Sequence, residues 1–385
     1  MLSQEQPVRA KAFDASAVQR DIGLDKLRGL AILLVMIFHF FQVPNLPKSS
    51  ALDECVIHFA RMGWCGVELF FSLSGFLITR IILRTLHSKH FFRNFYIRRT
   101  LRIFPLYYAY LLLLSAVVVC AFMLGRLQEP SFNSFAAASP FLLGYLSNFY
   151  TFYTEQFTPL GTGHFWSLAT EEQFYLLWPA LLFLVPRSSL LPFAVSLLAF
   201  SLVLRIALEW LGASAVQIYV FFPARLDSIV FGGVAAIMSE RFDPKLVRRY
   251  ALPVCWMSGL LSVYLLFKYG PTAEHPAVHV YGLTVFGLFF SSLVCLVAIS
   301  ARKSQSSNIS ILAVFGTYSY GLYVIHVCVR AALVQLWPVS QLHLNSVLPS
   351  LVAFATLGIS TSLGLAMLSF HFFEEPFLQL KRRFS

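Results

Sequence analysis

Arg28 and His39 lie in the first long apolar stretch of the chain, residues 24–41. They are 11 positions apart, which on an α-helix is about three turns plus about 20°, so both share one face. Their axial separation is about 16 Å, because each residue rises about 1.5 Å. Ionisable groups inside a membrane are costly and are functional candidates. The pair predicts a site that extends across the stretch; a surface-directed Arg and a packing His are the simpler alternative.

A second candidate group begins at His164 and carries two adjacent carboxylates in apolar surroundings. On a helix His164, Ser167 and Glu171 lie on one face, because they are spaced i, i+3 and i+7. Glu172 is turned by about 100° from Glu171. We expect one glutamate to face a site and the other to contact a structural partner. The alternative is a structural ion pair for both glutamates.

Arg225 and Asp227 form a third group, in another apolar stretch. They are about 200° apart around a helix, so a regular helix prevents them from pairing with each other. Each needs a partner from another span, since unpaired charges inside a membrane are costly. The candidates by depth are Glu68, Glu171 and His39.

Ser319, Tyr323 and His326 form a stripe at i, i+4 and i+7 in a later apolar stretch. This spacing places the three side chains on one helix face, which we expect to point into the bundle. A direct role for His326 is one interpretation. A hydrogen-bonded core histidine is the other.

Arg98, Arg99 and Arg102 lie just before another long apolar stretch, residues 103–124. Arg98 and Arg102 are i, i+4 neighbours, and guanidinium groups suit phosphate oxygens through paired hydrogen bonds. This cluster indicates a phosphorylated cytoplasmic ligand. The alternative is that the arginines set topology and contact anionic lipid headgroups.

Together these residues give two functional hypotheses. The first is transfer of a group from a cytoplasmic donor at the arginines to an acceptor beyond His39. The second is a proton-coupled secondary transporter or exporter of a small molecule, in which His, Glu and Arg form a relay. Six cysteines without a CxxC spacing do not indicate a metal site, and none is expected.

The composition identifies the elements that must hold these residues. The chain has 385 residues, of which 58% are hydrophobic and 12% charged, and its mean hydropathy is +0.71. These values exclude a soluble domain, and the apolar runs exclude the alternation of a membrane barrel. An all-α bundle of about ten transmembrane helices is expected. The apolar stretches are residues 24–41, 63–83, 103–124, 165–185, 190–211, 218–238, 251–268, 281–300, 311–333 and 348–372.

The basic residues alternate between the two sides of this predicted bundle. One side receives 21 Lys and Arg and the other receives five, with three inside spans. By the positive-inside rule both termini are expected to be cytoplasmic, and the location that we expect is a bacterial inner membrane. The net charge of +11 thus reflects topology and disfavours nucleic acid as a partner. Residues 1–20 are expected to be a flexible tail before a membrane domain at 21–385, and Pro140 to Phe152 a short re-entrant or interfacial segment.

The sequence resembles the acyltransferase-3 family, polytopic enzymes that O-acetylate cell-surface polysaccharides and other glycosyl acceptors. The resemblance runs from about Leu24 to Arg382 and rests on motifs in order. These are Arg28 with His39, Gly66-Val-Glu-Leu-Phe-Phe-Ser-Leu-Ser-Gly-Phe-Leu-Ile, Arg98-Arg-Thr-Leu-Arg-Ile-Phe-Pro, His164-Phe-Trp-Ser-Leu with Glu171-Glu-Gln-Phe-Tyr-Leu, Arg225-Leu-Asp, Ser319-Tyr-Gly-Leu-Tyr-Val-Ile-His and Phe373-Glu-Glu-Pro.

The resemblance implies acetyl-CoA or another acyl-CoA as donor, with no bound cofactor. It assigns the CoA phosphates to Arg98, Arg99 and Arg102, and the pantetheine arm to Arg28. His39 becomes the general base, with a covalent acyl-His39 as the alternative. Glu171 or Glu172 would orient His39. The acceptor and oxyanion candidates are His164, Arg225, Asp227, Tyr323 and His326, with Arg225 or Tyr323 favoured for the oxyanion.

The acceptor and the oligomeric state remain open at this point. Exopolysaccharide, lipopolysaccharide, a lipid-linked sugar, peptidoglycan and a glycosylated natural product all fit the resemblance. Two features depart from the family pattern. Glu68 occupies a position where the family often has Asp, and the chain ends soon after the last span, where some members add an esterase-like domain. Transfer is therefore expected from the membrane domain alone.

Overall fold

The structure is a computed structural model that describes residues 21–43, 50–301, 310–337 and 346–384. The predicted tail at residues 1–20 lies outside the described residues. The first half of the chain contains eight described α-helices: α1 (Ile22–Phe41), α2 (Ala51–Arg61), α3 (Gly66–Thr85), α4 (Phe91–Met123), α5 (Glu129–Leu143), α6 (Ser147–Thr154), α7 (Phe165–Leu184) and α8 (Leu190–Trp210).

The second half continues the same pattern. Its described helices are α9 (Ala215–Val220), α10 (Leu226–Arg241), α11 (Pro244–Tyr269), α12 (Leu283–Ala301), α13 (Ile311–Thr317), α14 (Ser319–Leu336), α15 (Leu348–Ser369) and α16 (Glu375–Leu380). Polar residues mark several helix starts, because the first backbone N–H groups of a helix need acceptors. For example, the Asp21 side chain accepts from the Leu24 amide at α1, and Ser50 caps α2.

Eight helical segments of the described chain are long and apolar enough to cross a membrane. They contain α3, α4, α8, α10, α11, α12, α14 and α15. Helices α1 and α7 have 20 residues each, which is about 30 Å and also matches a bilayer core. Both carry the charged residues of the candidate site, which lower their hydropathy. The prediction of an all-α polytopic membrane protein is confirmed.

The segment Pro140 to Phe152 forms the end of α5 and most of α6. Helix α5 has 15 residues, which is about 22 Å and too short for a membrane crossing. Between the two helices Tyr145 has a φ of 53°, a conformation uncommon outside glycine. The Gln173 side chain of α7 donates to the Tyr145 carbonyl at 2.9 Å. The segment is thus a short helical hairpin held against α7.

Two fully buried ion pairs join helices of the bundle. Arg205 of α8 donates to both carboxylate oxygens of Asp227 on α10, at 2.8 and 2.6 Å. Arg225 pairs with Glu68 of α3. The sequence therefore predicted correctly that Arg225 and Asp227 have separate partners, and it named Glu68. The sequence did not identify Arg205 as the partner of Asp227, because Arg205 lies on a helix without a recognised motif.

Two glycines allow α3 and α10 to approach each other closely. A methyl group on Gly75 of α3 would overlap the carbonyl oxygen of Ile229 on α10, and one on Gly232 of α10 would overlap the carbonyl oxygen of Ser72 on α3. Small residues at such crossings let helix backbones pack closely inside membranes. The same contact positions α3, which lines the candidate site described below.

We expect Gly75→Ala to destabilise the bundle, because the added methyl group forces α3 and α10 apart. Overpacking of this kind costs about 1–3 kcal/mol. Gly364→Ala is the matched control, since a methyl group there meets no atom within 4 Å and removing an exposed helical glycine gains up to about 1 kcal/mol. Thermal unfolding of the detergent-purified variants checks both. Equal unfolding temperatures for Gly75→Ala and wild type would contradict the close crossing.

Candidate active site

Helices α1, α7 and α14 position most of the candidate residues, and α7 runs antiparallel to the other two. His39 near the end of α1 meets His164 at the beginning of α7 and His326 on α14. We call this level of the bundle the histidine end. Arg28 near the beginning of α1 lies with Arg99 and Arg102 of α4, and we call that level the arginine end.

Three imidazole rings form a compact group at the histidine end. The ring centroids of His39 and His326 are 5.0 Å apart, and those of His164 and His326 are 5.1 Å apart. His164 and His326 are buried, whereas His39 is half-buried. The structure thus brings together three histidines that the sequence placed on three separate helices.

Hydrogen bonds fix which nitrogens of this group carry protons. His326 Nδ1 lies 2.9 Å from the carbonyl oxygens of both Leu322 and Tyr323. Carbonyl oxygens only accept, so Nδ1 carries the proton and Nε2 keeps a lone pair. That lone pair faces His39 Nδ1 at 3.0 Å, so His39 must donate from Nδ1. The Val35 carbonyl is a further acceptor for the proton on Nδ1, and His39 Nε2 is left with its lone pair.

A second set of hydrogen bonds clasps α7 to α14. His164 Nε2 donates to the Tyr323 carbonyl at 2.8 Å, and the Tyr323 hydroxyl donates to the His164 carbonyl at 2.9 Å. The Ser167 hydroxyl also bonds the Tyr323 hydroxyl. In the described chain His164 Nδ1 is buried without a partner. His164 and Tyr323 therefore hold each other in place beside His39.

A cavity lies between this clasp and the arginine end. It is enclosed by α3, α7 and α14 and lined by Val67, Phe70, Phe71, Ser167, Leu168, Glu171, Ser319, Tyr320 and Tyr323. Glu171 is its charged lining residue. The Glu171 carboxylate accepts from Ser74 of α3 at 2.9 Å and from Tyr175 at 3.0 Å. The predicted face of His164, Ser167 and Glu171 thus runs along one polar side of α7.

Neither glutamate orients His39, contrary to the expectation from the sequence. The partners of the His39 ring are His326 and the carbonyl of Val35. Glu171 lies seven residues beyond His164, which is about 10 Å further along α7. Glu172 points away from the cavity toward the charge of Arg99, and its Oε1 has no partner among the described residues. Both carboxylates thus belong to the middle and the arginine end of the site.

Unpaired guanidinium groups dominate the arginine end. Arg99 lies over the rings of Phe95 and Tyr175, at 5.9 and 5.4 Å from their centroids, and Arg102 lies 5.9 Å from that of Tyr320. In the described chain no hydrogen bond of Arg98, Arg99 or Arg102 to protein is found. These N–H groups are therefore free to bind an anion.

Nearby charges only partly balance this cluster. Arg28 pairs with Asp25 at 2.8 Å, while Glu172 acts on Arg99 and Glu374 acts on Arg102.

Lys381 adds a further cation at the arginine end, immediately after α16. Burial, together with the positive charges of Arg99, Arg102, Arg98 and Arg28, lowers the pKa of Lys381 to about 7. A lysine in such surroundings gains a proton when an anion binds, because the anion offsets the repulsion from the arginines. From the sequence alone, Lys381 was one of the 21 basic residues on the side predicted to be cytoplasmic.

Two predicted acceptor residues, Arg225 and Asp227, belong to the buried ion pairs that join helices of the bundle. Arg225 is fully buried between the rings of Phe71 and Tyr219, at 5.4 and 5.0 Å from their centroids. Asp227 is fully buried, and the Arg205 guanidinium, the Thr284 hydroxyl and the Ser228 amide bond its oxygens. The structure does not bring Asp227 to His39, because these bonds hold its carboxylate between α8, α10 and α12.

Four residues at the site were not predicted to belong to it: Ser74, Tyr175, Lys381 and Arg330, whose charge acts on His39 and His326. Two had a periodic signal, since Tyr175 is at i+4 from Glu171 and Arg330 is at i+4 from His326. Ser74 and Lys381 had no such signal, because their positions depend on the packing of distant parts of the chain.

The sequence matches the family described as acyltransferase domain over residues 21–369. Peptidoglycan O-acetyltransferase OatA of Listeria monocytogenes is 27% identical, over 92% of this chain and 55% of its own length. A Bacillus subtilis protein named "Putative peptidoglycan O-acetyltransferase YrhL" is 29% identical, over 92% of this chain and 54% of its own. The chain thus spans about half the length of these relatives. No solved structure matches it significantly. Because the family match covers most of the sequence and every motif above except the last, Phe373-Glu-Glu-Pro, the protein belongs to the acyltransferase-3 family.

Proposed function

We propose that this acyltransferase moves an acyl group, first of all acetyl, from cytoplasmic acyl-CoA to a hydroxyl of a cell-surface glycan. The observation that carries the proposal is the free Nε2 of His39, which is joined to unpaired arginines by one polar side of the bundle. Membership of an acyltransferase family favours transfer over the alternative of proton-coupled transport.

The donor fits the arginine end in charge and in shape. CoA carries phosphates, and guanidinium groups bind phosphate oxygens through charge-assisted hydrogen bonds. We assign the phosphates to Arg98, Arg99 and Arg102. The pantetheine arm then extends from Arg28 through the cavity beside Glu171 and Tyr323. The thioester carbon reaches the histidine end, where His39 is half-buried and open to a reactant.

The reaction follows from the proton positions. His39 Nε2 takes the proton of the acceptor hydroxyl as the hydroxyl oxygen bonds to the thioester carbon. The carbonyl electron pair moves onto oxygen and gives a tetrahedral oxyanion. When the carbonyl re-forms, the C–S bond breaks and His39 returns the proton to the CoA sulfur. His326 stabilises the transient His39 imidazolium by accepting from its Nδ1–H.

The acceptor and the orientation complete the proposal. The relatives named above as peptidoglycan O-acetyltransferases make a peptidoglycan sugar the first acceptor to test. The arginine end holds Arg80, Arg84 and Glu240 in addition to the donor arginines, and the basic residues of the sequence favour that side. We therefore place the arginine end and both termini in the cytoplasm of a bacterial cell, with the histidine end facing outward.

His39→Ala is expected to lower the turnover of acetyl-CoA by about 10²-fold or more, because a general base contributes about 10²–10⁴-fold. His87→Ala is the control, since His87 is exposed between α3 and α4. Release of the CoA thiol by purified protein, with a muropeptide as acceptor, measures the rate. Size-exclusion chromatography verifies folding. Near-normal turnover in folded His39→Ala would remove His39 as the base.

Lysine substitutions separate donor binding from topology. Arg98→Lys, Arg99→Lys and Arg102→Lys keep the charge that sets orientation but remove the planar fork. We expect at least one of them to weaken binding of a non-hydrolysable acetyl-CoA analogue about ten-fold or more, the scale of one charge-assisted hydrogen bond. Arg187→Lys is the control, since Arg187 is exposed just after α7. Isothermal titration calorimetry measures the affinities, and wild-type values for all three variants would contradict the donor site.

Donor affinity is also expected to depend on the charge of Lys381, whose pKa is lowered to about 7. Below pH 7 the amine is protonated and attracts phosphate. As pH rises through 7 the free protein must gain a proton to bind, so its affinity falls relative to that of Lys381→Arg, which stays charged. Binding titrations from pH 6 to 8.5 compare the donor affinities of wild type and Lys381→Arg. Both proteins bind the same ligand, so ionisation of the ligand changes both affinities equally. Parallel pH profiles would exclude Lys381 from the donor site.

A further inference from the structure

The tetrahedral oxyanion of acyl transfer needs a positive charge or N–H donors, and the three histidines, Ser167 and Tyr323 in the described part of the chain do not supply them. The N–H groups of His39, His164 and His326 are each donated to a protein acceptor. The Tyr323 hydroxyl donates to a backbone carbonyl, and the Ser167 hydroxyl is bonded to Tyr323. The three histidines thus account for the proposed base, but the donors named above are not available to stabilise a negative charge.

Among the described residues, Arg330 is the cation whose charge acts on this cluster. It follows His326 by one turn of α14, so both side chains lie on one helix face. Its guanidinium donates to the carbonyl oxygen of Gln42, and the Gln42 amide in turn bonds the carbonyl oxygen of His39. The charge of Arg330 acts on both His39 and His326. The guanidinium is therefore held just beyond His39, on the side away from the arginine end.

Arg330 also has a free donor. In the described part of the chain, its Nε is buried without a hydrogen-bond partner, and no carboxylate is paired with it. A buried N–H without a hydrogen-bond partner is destabilising, so a ligand that accepts from it gains that interaction.

Arg225 has free N–H groups as well. Its charge is already paired with Glu68, however, and the ring of Phe71 covers its guanidinium on one side. Arg330 is thus the better donor to the reacting carbonyl.

We propose that Arg330 is a catalytic residue that stabilises the oxyanion formed when the acceptor hydroxyl attacks the thioester. The proposal rests on the proposed function. The oxyanion receives the electron pair of the thioester carbonyl and lies beside His39, which has just taken the hydroxyl proton. Arg330 Nε–H donates to that oxygen, and its charge opposes the new negative charge. The negative charge leaves this oxygen when the carbonyl re-forms and the C–S bond breaks.

Kinetics of Arg330→Ala test this role. Removing one oxyanion donor lowers kcat by about 10²–10³-fold, and the donor Kd stays at the wild-type value because the oxyanion is absent from the ground state. Added guanidinium ion is expected to restore part of kcat in Arg330→Ala, which a merely structural role would not allow. Arg126→Ala is the control, since Arg126 is exposed after the end of α4.

Acetyl-CoA is the donor in this experiment, a muropeptide is the acceptor, and thiol release is measured with and without the acceptor. If wild type releases no thiol, both the proposed function and the role of Arg330 fail. If wild type is active and folded Arg330→Ala keeps its kcat, only the role of Arg330 fails. A raised KM for the muropeptide at unchanged kcat would assign Arg330 to acceptor binding and overturn the oxyanion role. A lowered kcat without guanidinium rescue would indicate a structural residue and overturn it equally.

Discussion

A buried imidazole must donate its N–H to a fixed acceptor, and this constraint organises the histidine end of the protein. The carbonyls of Leu322 and Tyr323 take the proton of His326 Nδ1. His326 must then accept from His39, and His39 keeps a lone pair on Nε2. Two backbone carbonyls on α14 thus determine which nitrogen of a ring on α1 keeps its lone pair. A carboxylate has this orienting role in many triads, but here a neutral histidine has it, which avoids an additional buried charge.

The helices around this cluster are held by groups that take no part in it. The Arg205 guanidinium satisfies Asp227 and two backbone carbonyls, and joins α8 to α10 and α12. Breaking a buried pair by removing one partner costs about 3–5 kcal/mol, so such pairs strongly favour one arrangement of helices. The glycines at the crossing of α3 and α10 permit the same arrangement, because they leave room for the two helix backbones to pack closely. Together they place α3 against α7, where Ser74 bonds Glu171 across the cavity.

Much of this could be predicted from the sequence, because charges inside a membrane are few and helical spacing is regular. The spacing of Arg28 and His39 predicted opposite ends of one helix face, and the stripe through His326 predicted a face that points inward. The sequence could not give partners across helices. Glu171 or Glu172 was expected to orient His39, as a third group orients the base in a triad, yet Glu171 lies about 10 Å along α7 from His164. Lys381 is more than 270 residues from Arg102, and only the fold brings them together.

The central claim is that His39 presents an unprotonated Nε2 because His326 accepts from its Nδ1. Solid-state NMR of protein with ¹⁵N-labelled histidine in lipid bilayers measures this directly, with signals assigned from single substitutions of His39, His164 and His326. At neutral pH we expect a protonated Nδ1 and an unprotonated Nε2 for both His39 and His326, and the opposite tautomer for His164. A His39 ring protonated at Nε2, or at both nitrogens, would contradict the account.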